Sequence, residues 1–175
     1  MIRSFQGIQP QIAPSAYIDE SAQIIGDVVI GEQSSVWPNA VIRGDVYYIR
    51  IGSQTNIQDN CVLHVETGQY ALILGDRVTV GHKAVLHGCR IASDCLIGVG
   101  ALVLNNVEIG TGSIIAAGTV VPENTVITPG SLCMGVPGRV RRNVTEDEVK
   151  RIHRSADRYL RLKDIYIAER QGASR

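Results

Sequence analysis

Aliphatic side chains recur every six positions along most of this chain. The series opens at Ile12 and runs through Ile18, Ile24, Ile30, Val36 and Ile42. After three extra residues it resumes at Ile51, Ile57 and Leu63, and after five more at Leu74, Val80 and Leu86. One residue is then dropped, and Ile91, Ile97, Val103, Ile109, Ile115, Val121, Ile127 and Cys133 complete it. All but the last of these hexads begin with Ile, Leu or Val. Four places after the aliphatic comes a small or β-branched residue, as at Ala22, Ala40, Thr55, Cys61, Ala84 and Ala101, and glycine often follows directly, as at Gly31, Gly52, Gly81 and Gly98. A period of six matches neither a helix nor a two-residue strand alternation. It does match a solenoid of short parallel strands, one hexad per side, with the aliphatic pointing inward and the small residue at a tight corner. Such coils stack at roughly 4.8 Å, each rung hydrogen-bonding the next.

The pattern stops at Gly135-Val136-Pro137-Gly138. Thr145 followed by Glu148 then reads as a capping box. Val149, Ile152, Ala156, Tyr159, Leu160 and Tyr166 fall at helical spacing on one face, so the spacing predicts a helix from about Thr145 to Glu169 that folds back along the solenoid. The expected division is a mainly β solenoid over residues 1–139 and a linker with a C-terminal α-helix over residues 140–175.

Composition narrows the function classes. Lys plus Arg equals Asp plus Glu, at 17 each, which gives no electrostatic case for nucleic acid or an anionic membrane. The basic residues from Arg139 to Lys163 read as a solvated helix face. The first ten residues carry no apolar signal segment, and no run approaches the roughly 20 apolar residues of a membrane span. Cys61, Cys89, Cys95 and Cys133 lack C-x2-C pairing and read as small buried thiols. A cytoplasmic protein is expected.

The repeat resembles the hexapeptide-repeat family over about Ile12 to Arg139. That resemblance implies a left-handed parallel β-helix with three sides per turn, here about seven coils. Three sides give the histidines a geometry. With the extra residues looped out at corners, His64 and His87 occupy the second place of hexads three apart. They therefore stack on one side, one rung apart, with Arg43 one rung earlier. His82 lies on the preceding side, stacked on Asp59 with Gln58 beside it. Five extended residues separate His82 from His87 by up to about 16 Å, too far for one zinc with bonds of about 2.0–2.1 Å. The register thus predicts that His82 meets the His64/His87 column of a neighbouring copy, in a cyclic trimer with three shared metal sites.

Arg43-Gly44-Asp45, Gln58-Asp59 with His64, and Gly81-His82 with His87-Gly88 together look like the active-site set of the γ-class carbonic anhydrases and their bacterial relatives. The resemblance implies a homotrimer with zinc, or else iron or cobalt, held by His64, His82 and His87. It further implies Gln58 hydrogen-bonding the metal's water or bicarbonate, an Arg43–Asp59 ion pair across the interface, Asp45 adding contacts at the interface or behind the metal ligands, and Tyr159 reaching the cleft from the last helix. Three neutral imidazoles leave zinc an open position, the pattern of a catalytic site, and its charge makes hydroxide available near neutral pH to attack CO2.

Two features depart from the family pattern. Val46 stands where well-characterised members carry glutamate, and the interval after His64 holds only a short loop, in which Glu66 is a candidate to replace the family's proton-shuttle glutamate. His153 reads as a packing or surface residue. Alternatives therefore stay open: the same metal site acting on a CoA thioester, a hexapeptide acyltransferase, or a non-catalytic trimeric scaffold.

Overall fold

In the computed structural model, which describes residues 1–173, every hexad lands on one of three stacked columns. Ile24, Ile42, Leu63, Leu86, Val103 and Val121 pair in parallel register on a first face. Ile12, Ile30, Ile51, Leu74, Ile91, Ile109 and Ile127 do so on a second. Ile18, Val36, Ile57, Val80, Ile97, Ile115 and Cys133 make the third. Together they form a parallel β-solenoid of about seven turns around one continuous aliphatic core, in which Ile42, Ile57, Leu63, Val80 and Leu86 are wholly buried. All four cysteines are buried and unbridged. Met1 begins a further short strand, Ile2–Arg3, which pairs with Ile24 and Ile25 and extends the first face by a rung. No helix is long and apolar enough to cross a membrane.

The three irregularities in spacing share one corner, the one joining the first face to the second. There the strand Val41–Ile51 runs on through the corner with its extra residues bulged out. The five-residue insertion between Leu63 and Leu74 folds there into a small hairpin closed by the Glu66–Tyr70 bridge, and the missing residue is taken up at Gly88, whose φ is +53°. Gly26 turns the same corner one rung before the bulge. At its φ of +75°, a Cβ would lie 2.3 Å from the carbonyl oxygen of Gly44, so only glycine lets those two rungs approach.

The helix spans Glu146–Ala173, longer than expected at its C-terminal end, and Thr145 caps it. Glu148 N–H donates to Thr145 Oγ1 (3.3 Å), and Thr145 N–H donates to the Glu148 carboxylate (2.9 Å). Part of the stretch expected as a linker is instead a strand, Arg139–Asn143, antiparallel to Ser131–Met134 at the end of the third face. Ile152 and Ala156 are buried, Ile152 against Ile114 and Leu132, and Tyr159 and Tyr166 meet the Trp37 ring edge-on. Arg77 reaches up from the solenoid to Asp157 (3.0 Å). Val149 and Tyr166, expected on the packed stripe, stay 36% and 40% exposed. Between Tyr159 and Tyr166 the buried position is held by Lys163, whose head pairs with Asp164 while its stem covers apolar surface.

Thr145→Ala should therefore lower stability by about 1 kcal/mol, read by thermal unfolding. The Arg142 hydrogen bond, then that of Thr145, hold Glu148 down to about 2. A lowered carboxylate stabilises the fold above the ordinary carboxylate range and stops doing so as pH falls toward 2. Solvent screening around the half-exposed Arg142 keeps this acid limb shallow, and Glu148→Gln should flatten it.

Candidate metal centre

The irregular corner positions most of the predicted residues. His64 and His87 end the strands Val62–His64 and Val85–His87 and are direct register partners. Their second place in the hexad points both rings outward, and they meet with centroids 5.1 Å apart. His64 Nδ1 faces His87 Nε2 at 3.1 Å. The remaining nitrogens are both engaged: His64 Nε2 lies 3.0 Å from Asp45 Oδ1, and His87 Nδ1 lies 2.7 Å from Asn105 Oδ1.

Those partners decide where the protons are. An ionised carboxylate and an amide oxygen can only accept, so His64 Nε2 and His87 Nδ1 are the donors. Two lone pairs are then left facing each other across 3.1 Å. A shared cation, or a proton on one of the two rings, relieves that opposition, and zinc bound by imidazoles whose other nitrogens donate to carboxylate or carbonyl oxygens has this arrangement. The donor set fits the metal that the sequence implies. Electrostatics agree: burial pushes His64 below the ordinary imidazole range, with Asp45 partly opposing it, and a neutral ring is the one that can ligate.

Asp45 belongs to this cluster more intimately than expected. Burial pushes its carboxyl up, but hydrogen bonds from Arg43 and His64 outweigh that and leave it lowered. Within one chain Arg43 pairs with this Asp45, not with Asp59. Asp59 instead accepts from His82 Nδ1 at 2.8 Å, one rung below it on the corner between the third and first faces. This leaves His82 Nε2 without a partner among the described residues, on a side chain 45% exposed. His82 makes no contact with the His64/His87 pair. Among the described residues, no three His, Cys, Asp or Glu side chains of one chain converge as a metal cage.

Gln58 lies beside His82 and is buried, but its amide is more committed than the sequence suggested. Its Oε1 accepts the backbone N–H of His82 (3.2 Å) and its Nε2 donates to Asn56 Oδ1 (3.1 Å), while Asn56 is itself bound to Thr79 Oγ1 (2.9 Å). One N–H and one lone pair remain for a ligand. Tyr159 lies on the same side of the molecule. Burial first, then the Asp59 charge, raise its phenol above the ordinary range, so it is a hydrogen-bond donor at neutral pH. His153 lies 3.5 Å from Asp94, away from this centre.

Sequence reasoning missed Asn105, Asn56 and Glu123. Asn105 lies one rung beyond Gly88 on the corner that bears the histidines, so the hexad count could have found it. Its amide Nδ2 donates to Glu66 (3.4 Å) and to Glu123 (3.2 Å).

A family model described as bacterial transferase hexapeptide (six repeats) matches residues 9–44 and 88–123. A carbonic anhydrase of Geobacillus kaustophilus is 48% identical over 171 residues, covering 98% of this chain and 93% of that protein. A "probable carbonic anhydrase" of Methanocaldococcus jannaschii is 53% identical over 153 residues, covering 87% and 96%. The crystal structure of a Bacillus cereus protein described as a "putative acetyltransferase" superposes with a TM-score of 0.92 at 44% identity, covering 94% and 95%. With three aliphatic columns, a histidine pair at their irregular corner and likeness along nearly its whole length, this chain belongs to the γ-class carbonic anhydrase-like proteins of the hexapeptide-repeat, left-handed β-helix superfamily.

Proposed function

We propose that the protein hydrates CO2 to bicarbonate at zinc centres shared between copies in a homotrimer, iron or cobalt being the alternative metals. The carrying observation is the His64–His87 pair, whose inner nitrogens stand 3.1 Å apart with their outer nitrogens already donating. His82, held by Asp59 with its Nε2 free, is the third ligand and comes from the neighbouring copy. Zinc on three neutral imidazoles supplies Lewis acidity that makes water nucleophilic near neutral pH.

The chain's own residues do the rest. Arg43 keeps Asp45 ionised, and Asp45 orients His64. Gln58 offers its spare amide N–H and lone pair to water or bicarbonate. Tyr159 presents a protonated phenol from the Asp59 side. The first face lies between the two histidine corners, and its outward column is Val41, Val62, Val85, Leu102 and Val120. A parallel sheet apolar on both sides is ordinarily covered, and this column supports three first faces packing about a common axis.

The test is stopped-flow CO2 hydration before and after chelation, with metal content and solution mass measured on the same sample. Activity that needs metal, one ion per chain and a trimeric mass are expected; a metal-free monomer would overturn the proposal.

A pocket of about 240 Å³ beside Asp45, lined by Phe5, Ile8, Val46, Tyr47 and Tyr48, favours a second reading. Val46 stands in it where related enzymes carry glutamate, and although Gln6, Asp27 and Asp45 also line the pocket, its apolar wall suits the acyl part of a thioester. Acyl-CoA hydrolysis and transfer assays distinguish this chemistry from CO2 hydration.

A further inference from the structure

The inserted hairpin after His64 offers one carboxylate to the site, Glu66, and that carboxylate does not approach either histidine directly. It approaches Asn105. Glu66 Oε2 from the hairpin and Glu123 Oε1 from a later rung both lie within reach of Asn105 Nδ2, at 3.4 and 3.2 Å. Ionised, both can only accept. An amide placed between them must turn its NH2 toward the carboxylates and its oxygen the other way. Here the other way is His87 Nδ1, at 2.7 Å.

We infer that Asn105, gripped by Glu66 and Glu123, is a positioning residue that locks His87 in the tautomer protonated at Nδ1 and so keeps Nε2 as the lone-pair nitrogen. The chain of cause runs from two anions to an amide orientation, and from that orientation to an imidazole proton. Were the amide reversed, its NH2 would donate to Nδ1 and force the proton onto Nε2, the nitrogen that faces His64. The short hairpin thus has a role at the centre without itself touching the ligands. A Cβ at Gly88 would lie 2.4 Å from Asn105 Oδ1, so the missing side chain there is what lets Asn105 reach the ring.

The consequence for metal affinity rests on the proposed metal site, whereas the tautomer does not. Long-range proton–nitrogen NMR on metal-free protein at neutral pH should show His87 protonated at Nδ1. In Asn105→Leu, which is close in shape but offers no acceptor, the proton should move largely to Nε2. Zinc affinity, measured by competition with a chromophoric chelator, should fall about 10–100-fold. Should Asn105→Leu not fold, the Glu66→Gln/Glu123→Gln double variant frees the amide to flip, and a mixed His87 tautomer with weakened zinc binding is expected. An unchanged tautomer in the variant that folds would overturn the inference. So would zinc affinity equal to that of the unaltered protein. If the unaltered protein binds no zinc while the tautomer shifts as described, the metal reading fails and the positioning role stands.

Discussion

Mixing a His64→Ala chain with a His82→Ala chain should restore activity that neither variant has alone. In the proposed trimer each variant by itself lacks a ligand at every shared centre, and its loss should exceed the roughly 10–100-fold of a supporting residue. In a mixed trimer, however, a His82→Ala chain still carries His64 and His87, and a His64→Ala neighbour still carries His82. Random assembly of equal amounts should rebuild about one interface in four, for a cyclic arrangement with one site per interface. Activity and bound zinc should both recover to about a quarter of the unaltered protein's level after joint unfolding and refolding. A mixture as inactive as its parts would mean that all three ligands act within one chain, which the separation of His82 from the His64–His87 pair argues against.

Truncating Leu86 to alanine should cost about 2–5 kcal/mol, the range for a buried leucine that leaves a cavity. Leu86 is wholly buried and stacks between Leu63 and Val103. Rungs above and below hold the backbone in place, so the void cannot collapse. For a chain of this size that corresponds to a fall of roughly 5–15 °C in Tm. The measurement belongs on metal-free protein, because a ligand bound only by the folded state adds its own stabilisation. Outward on the same strand, Val85→Ala should barely move the stability of a single chain and should weaken association instead. A Leu86→Ala loss below about 1 kcal/mol would show that the column repacks freely, unlike a rigid stack.

The solenoid was legible because each hexad repeats one physical demand. An aliphatic residue is needed at each inward position and a small one at each corner. Ile57 over Val80, or Leu63 over Leu86, follows from counting once the resemblance sets three sides per turn. The stacking of His64 on His87 and of Asp59 under His82 followed as well, since outward positions share the register of inward ones. The capping box was readable for the same reason: Thr145 and Glu148 satisfy each other locally. The Arg139–Asn143 strand was not, because it forms only where the end of the third face offers an edge.

Pairing at the site lay beyond the count. Register places Arg43, Asp45, Asp59 and Gln58 near the histidines, but not which of them touch. Whether Arg43 turns to Asp45 or elsewhere depends on how the three extra residues bulge. Whether Asn105 reaches His87 depends on the deletion at Gly88. Both are outcomes of packing at one corner.

Periodicity in the chain was therefore enough to determine a solenoid and its repeat and, once the family resemblance supplied three sides per turn, the histidines' separation into a stacked pair and a lone third. Burial of one repeated side chain enforces those features everywhere at once. Only the tertiary structure decided the hydrogen bonds to Asp45 and Asn105 that orient the pair, because they arise where the repeat breaks and the chain's path is set by contacts distant in sequence.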